Sequence, residues 1–221
     1  MQNLKKPVIK NLAPGIMTLD YDISWLDMLI EAVLYTEKNG IVNAGLNTNK
    51  KWAMLAEKYY NIVHTRNLKY ATFYERSIRE LLMDAMIYYS DKYPLFQSGY
   101  DTGYNVMHYF PNAEYDWHKD GEKGCSLILV MNLNDNFDKG HLLVKHFNLS
   151  IKPKSGRMIL MPPGHTFEHK GDKVLNGDKF ILRSRIYEKS TNAVGNDKNL
   201  RKFQKKEDHV KGFIRNKKEI S

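Results

Sequence analysis

Tyr115-Asp116-Trp117-His118-Lys119-Asp120, followed much later by His169 and then Lys179, is the most telling stretch of this chain. An imidazole and a carboxylate two residues apart project to the same side of an extended backbone. His118 and Asp120 can therefore reach one metal ion. A second imidazole from a distant strand, with His165 and His169 as the candidates, would complete two nitrogens and a carboxylate on one face of that ion. Such a facial triad leaves coordination positions open and suits non-haem Fe(II). Catalytic zinc more often takes three His, or His with Cys, and the single Cys125 leaves little room for a thiolate site. Against this stands a plain alternative, in which His118 and Asp120 sit on a solvated turn.

The surrounding spacing weighs against the turn. Tyr109, Tyr115, His118 and Asp120 read Y-x5-Y-x2-H-x-D, and His169, Gly177 and Lys179 read H-x7-G-x-K. Between them lie the apolar run Leu127 to Val130, the turn Asn132-Leu133-Asn134-Asp135, the entry Gly140-His141-Leu142, and Pro153 and Gly156 before Met158-Ile159-Leu160-Met161. Over roughly residues 99–188 this pattern resembles the prolyl 4-hydroxylase-like branch of the 2-oxoglutarate and Fe(II)-dependent oxygenases.

The resemblance implies Fe(II), 2-oxoglutarate and O2 as cofactors, with ascorbate as an accessory. It implies His118, Asp120 and His169 as metal ligands, His169 being preferred to His165 because it alone gives the family's distance to Gly177 and Lys179. Lys179 would anchor the far carboxylate of 2-oxoglutarate, since a cation buried in a barrel needs an anionic partner. Arg183 and Arg185 lie on the same face of that strand at period two and are alternatives, or form an ion pair at the sheet surface. Tyr109 would hydrogen-bond cosubstrate or substrate, or else pack in the core. Tyr115 and Trp117 would wall the entrance. Where the family often carries Tyr or Thr after the HxD motif, this chain has Val130, Met131 and Asn132, which leaves the lesser cosubstrate contacts open.

Composition fits a globular enzyme. The 221 residues are 42% hydrophobic and 27% charged, ordinary for a packed domain. No apolar run approaches the ~20 residues that span a bilayer, and two lysines near Met1 lead into no apolar stretch, so neither a membrane partner nor a secretory signal is expected. One cysteine excludes an internal disulfide. A cytoplasmic protein is the expectation.

The fold class expected is α+β, a double-stranded β-helix (jelly-roll) core with N-terminal helices packed outside. Residues 1–98 form the helical support region. Within it, Ser24 and Asp27 suggest a capping box for a helix stopped by Asn39-Gly40. Tyr70 to Tyr89 carries the spacing of a second amphipathic helix, ended by Pro94. Residues 43–67 suggest a loop at the entrance, containing a short helix. Residues 99–188, the catalytic core, break into short apolar runs: Asn105–Phe110, Cys125–Leu133, Gly140–Val144, Phe147–Ile151, Arg157–Met161 and Phe180–Ile186. Residues 189–221 form a basic tail, in keeping with the net charge of +9. A solvated flank is favoured there over a nucleic-acid arm.

The scaffold implied by the resemblance hydroxylates C–H bonds. A peptidyl proline or another protein side chain is the leading substrate. Small metabolites, nucleic acid and a non-enzymatic metal-binding jelly-roll are the alternatives.

Overall fold

A computed structural model describes residues 5–40, 60–121 and 124–187. Most of the expected entrance loop and all of the basic tail 189–221 lie outside the described residues. The chain opens with a hairpin, β1 (Val8–Ala13) and β2 (Ile16–Asp20). Pro14-Gly15 joins them. Gly15 has φ +80°, the left-handed value that a glycine after proline supplies in a tight turn. Helix α1 (Leu26–Lys38), strand β3 (Tyr60–His64) and helix α2 (Ala71–Lys92) follow. Then come β4 (Tyr100–Asp101), β5 (Asn105–Tyr109), β6 (Tyr115–His118), β7 (Cys125–Asn132), β8 (Asp138–Lys139), β9 (Leu142–Val144) and β10 (Leu149–Ile151). β11 (Arg157–Met161), β12 (His169–Gly171), β13 (Val174–Leu175) and β14 (Lys179–Tyr187) complete the described chain.

The strands make two antiparallel sheets. The larger runs β1-β2-β11-β7-β14-β5-β3, with β4 also paired to β14, and the smaller runs β10-β9-β12-β6. β8 and β13 form a separate ribbon. A cleft lined by both sheets lies between them. This is the double-stranded β-helix expected from the sequence.

The central strands are buried on both faces, which explains why they read as apolar runs rather than as alternations. Successive residues go to different cores. Leu129, Met131, Leu160 and Leu182 join the cluster beneath the helices. Val130 and Ile181 pack in a second cluster and Ile128 and Ile159 in a third, on the cleft side. Leu26, Leu29 and Val33 of α1, and Tyr74, Ile78, Leu81, Leu82, Ala85, Met86 and Tyr89 of α2, cover the outer face.

Two expectations need correction. The first 98 residues are not only helical support: β1, β2 and β3 extend the larger sheet, β1 pairing with β2, β2 also with β11, and β3 with β5. β11 and β5 lie far along the chain, so local periodicity does not reveal these pairings. Nor does Ser24 cap α1. The N-cap is Trp25, without a side-chain cap bond. Its indole is buried and packs on Phe73 and Tyr74, at ring-centroid distances of 6.5 and 6.4 Å. Burial of this ring, not a hydroxyl, fixes the helix entry.

Leu182 is fully buried in the helix-side core. Leu182→Ala should lower unfolding stability by about 2–5 kcal/mol. Leu95, 95% exposed, should tolerate Leu95→Ala within about 0.5 kcal/mol. Urea denaturation of both variants measures the contrast.

Candidate metal centre and cosubstrate cleft

His118 closes β6 and His169 opens β12, and the antiparallel register sets them directly opposite one another. Their rings lie 4.2 Å apart, centroid to centroid. Asp120 lies in the segment that leaves β6. Its carbonyl accepts the Gly164 N–H at 2.7 Å, tying that segment to the Pro162-Pro163-Gly164 turn. One ligand atom from each of His118, Asp120 and His169 lies within 4.8 Å of the other two.

The ring nitrogens are oriented for a metal. His118 Nδ1 is 2.8 Å from the Asp116 carbonyl, and His169 Nδ1 is 2.9 Å from the Phe167 carbonyl. A carbonyl can only accept, so each Nδ1 carries the proton and each Nε2 offers its lone pair. Burial and the neighbouring His169 push the His118 imidazole down to about 4. Burial alone would raise the Asp120 carboxyl, but the Arg185 and Arg183 guanidiniums outweigh it and hold it below the usual carboxylate range. Near neutrality His118 is therefore uncharged and Asp120 ionised, the forms that bind a metal. Arg185 donates to Asp120 Oδ1 at 3.0 Å, while Oδ2 lies 3.8 Å from His169 Nε2. The donor set fits a hard-to-borderline divalent ion with open positions.

Lys179 reaches the same cleft from the larger sheet, paired with Tyr109 across β14 and β5. It is buried, and that burial pulls its ammonium down to about 8. Its one hydrogen bond among the described residues goes to the Gly140 carbonyl at 2.6 Å. Gly140 has φ +64°, and a side chain there would press on Phe137 and on the Lys179 stem. The ammonium thus has a neutral hydrogen-bond partner and an unmet need for an anion. Tyr109 lines the cleft beside it, with Nζ 5.6 Å from the ring centroid. The Tyr109 phenol is buried and its pKa raised by that burial; among the described residues its hydroxyl reaches only the Met107 sulfur, at 3.7 Å.

The cleft encloses about 580 Å³, counting its open mouth. Leu142, Ile151 and Ile159 make its apolar wall, and Asn132 and Arg183 add polar groups. His165 is exposed in a 3-10 turn and stands apart from the ligand cluster. Trp117 is exposed, with Lys145 Nζ 5.7 Å from its ring. Tyr115 packs on His118 at 4.4 Å and on Tyr60 at 5.6 Å. Sequence reasoning did not find Tyr60, which backs this wall from β3. It also missed the specific partner of Arg185, although the period-two spacing from Lys179 placed that arginine on the correct face.

Comparison with known proteins agrees with this geometry. Residues 104–186 match the family model of the 2OG-Fe(II) oxygenase superfamily. No curated protein sequence matches the chain. Among solved structures, a prolyl hydroxylase from Trichoplax adhaerens, in complex with a hypoxia inducible factor oxygen degradation domain peptide fragment, is similar at a TM-score of 0.64 and 16% identity, covering 83% of this chain and 88% of that one. A viral collagen prolyl hydroxylase from Paramecium Bursaria Chlorella virus-1, in complex with 2OG, gives 0.57 and 16%, covering 79% and 96%. A Pseudomonas putida prolyl-4-hydroxylase gives 0.56 and 14%, covering 80% and 94%. No helix among the described residues is long and apolar enough to cross a membrane. Residues 104–186 thus match the 2OG-Fe(II) oxygenase superfamily, and they are set in a fold similar to that of the prolyl hydroxylases.

Proposed function

We propose that this enzyme hydroxylates a protein side chain, with a peptidyl proline as the leading target. In this reading His118, Asp120 and His169 hold the iron, and Lys179 holds the cosubstrate. The observation that carries it is the cluster of three ligand atoms within 4.8 Å, lining a cleft that also contains a buried lysine with no carboxylate bond among the described residues. The two prolyl hydroxylase structures above, one with a peptide and one named for collagen, support a protein substrate. A cytoplasmic setting, and a division into a support region (1–98), a core (99–188) and a basic tail (189–221), belong to the same proposal.

Fe(II) and 2-oxoglutarate, when bound, supply oxidative decarboxylation with O2, giving succinate, CO2 and an oxygen atom for a C–H bond. The chain's own residues do the rest. The Nε2 atoms of His118 and His169 and the Asp120 carboxylate, which line the cleft, would hold the iron there. Arg185 keeps the Asp120 carboxylate in place. Lys179 fixes the distal end of the cosubstrate and so its orientation. Leu142, Ile151 and Ile159 exclude water from the space between.

His118→Ala, Asp120→Ala and His169→Ala should each abolish iron-dependent succinate release and weaken Fe(II) binding in a titration. His165→Ala should keep both. A dead His165→Ala beside an active His169→Ala would reassign the third ligand.

Lys179 generates a second test. A hydrogen bond to a charged group contributes roughly 1.5–3 kcal/mol, so Lys179→Ala should weaken apparent 2-oxoglutarate binding roughly 10- to 150-fold. Only the ammonium form holds a carboxylate, and burial sets that group to about 8. Cosubstrate binding should therefore be full below that pH and fall as pH rises through it, roughly tenfold per unit. Lys179→Arg, whose charge persists, should flatten the profile. A KM for 2-oxoglutarate independent of pH between 7 and 9.5 in the unaltered enzyme would remove Lys179 as the anchor.

A further inference from the structure

We infer that Arg183 recognises the substrate itself, through a carboxylate that the substrate carries close to the C–H bond being oxidised. This rests on the oxygenase reading above and adds the chemical class of its substrate. The alternation of β14 turns Lys179, Ile181 and Arg183 into the cleft, with Arg185 next on the same face. The other two cations have partners. Lys179 donates to the Gly140 carbonyl and faces the cosubstrate's distal carboxylate, and Arg185 donates to Asp120 at 3.0 Å. Arg183 has neither a hydrogen bond nor an ion pair among the described residues, although it is half-buried in the cleft wall.

Position separates its task from that of Lys179. Four residues along a strand span roughly 13 Å at about 3.3 Å each. Arg183 lines the cleft together with His118, Asp120 and His169, and its charge acts on His118 and Asp120 as well as on Tyr115, Tyr109 and Tyr60, so it stands within reach of the ligand cluster. Asp120 cannot fully serve as its counter-ion, because one carboxylate oxygen is held by Arg185 and the residue belongs to the ligand cluster. Across the strand pair, Asn105 lies opposite Arg183, and its buried Oδ1 accepts no hydrogen bond among the described residues. A guanidinium has five donors in a planar fork that suits a carboxylate. Withdrawn partly from water without a partner, it is costly until an anion arrives. The reacting carbon must sit beside the ligand cluster, so the anion that reaches Arg183 travels with the substrate. Two sources share this chemistry: an acidic side chain beside the target residue of a peptide, and the carboxylate of a free amino acid.

The test incubates the iron-loaded full chain with 2-oxoglutarate, O2 and two substrate sets, and reads the gain of one oxygen atom by mass spectrometry. One set is a peptide library randomised at the target and flanking positions. The other is a panel of free amino acids with their carboxamides. Members bearing a carboxylate should be oxidised in preference to the matching amides, by roughly 10- to 150-fold. Arg183→Gln should erase that preference, and Arg183→Glu should turn it toward lysine-bearing members, while the KM for 2-oxoglutarate moves less than about threefold. The set in which the preference appears identifies the source of the carboxylate. No preference in the unaltered enzyme, or the same preference in Arg183→Gln, would overturn the inference. So would a rise in the 2-oxoglutarate KM as large as that of Lys179→Ala, which would make Arg183 a second cosubstrate anchor. Oxidation of a residue other than proline, flanked by acids, would sink the prolyl reading and keep this one. Oxidised proline without acid preference would do the reverse.

Discussion

The active-site geometry depends on the register between β6 and β12. These strands are separated by five others in the chain, yet their pairing sets His118 and His169 opposite one another, with their rings 4.2 Å apart and tilted by 58°. A slip of one residue would turn His169 to the other side of the sheet. Lys170 would take its place, a cation where a nitrogen lone pair is needed. The smaller sheet guards the register from both flanks. β9 pairs with β12 along Val144, Leu143 and Leu142, and the Gly164 N–H holds the backbone of Asp120. The site is thus a by-product of correct strand pairing, and it exists only when both sheets are closed.

Charge in the cleft follows a single logic. Each ionised group stands where another charge, present or arriving, offsets its desolvation. Arg185 answers Asp120, and in the proposed reading the cosubstrate's distal carboxylate answers Lys179 and a substrate carboxylate answers Arg183. The backbone carbonyls of Asp116 and Phe167 do comparable work for the imidazoles by fixing which nitrogen is protonated. Little has to reorganise when ligands bind, which is how a rigid barrel favours a reaction through positioning.

Much of this was legible in the chain because its chemistry is local. The two-residue step from His118 to Asp120, the distance from His169 to Gly177 and Lys179, and the apolar runs of β7, β11 and β14 each depend on a short window. So do the buried stripes of α1 and α2. What escaped was set by partners remote in sequence. β3 carries an ordinary mixture of residues, and only its pairing with β5 makes it a strand. The hairpin of β1 and β2 did leave a mark, the Pro14-Gly15 dipeptide, whose chemistry signals a turn. The specific partner of Arg185 could not be found from spacing, since it depends on how the segment after β6 folds back over the end of β14.

The place of β14 in the larger sheet has a consequence for biosynthesis. It is the last strand of the described chain, yet it lies between β7 and β5 and also pairs with β4. Until it leaves the ribosome, the nascent sheet is split into two halves with bare inner edges, and Leu182 and Ile186 are missing from the core beneath the helices. Contacts of such long sequence separation form slowly. Exposed edges of this kind invite pairing with other chains. The nascent polypeptide therefore passes through an adhesive interval that closes only when β14 inserts, and the same event delivers Lys179 to the cleft. One nine-residue segment both joins the halves of the larger sheet and carries the proposed cosubstrate anchor.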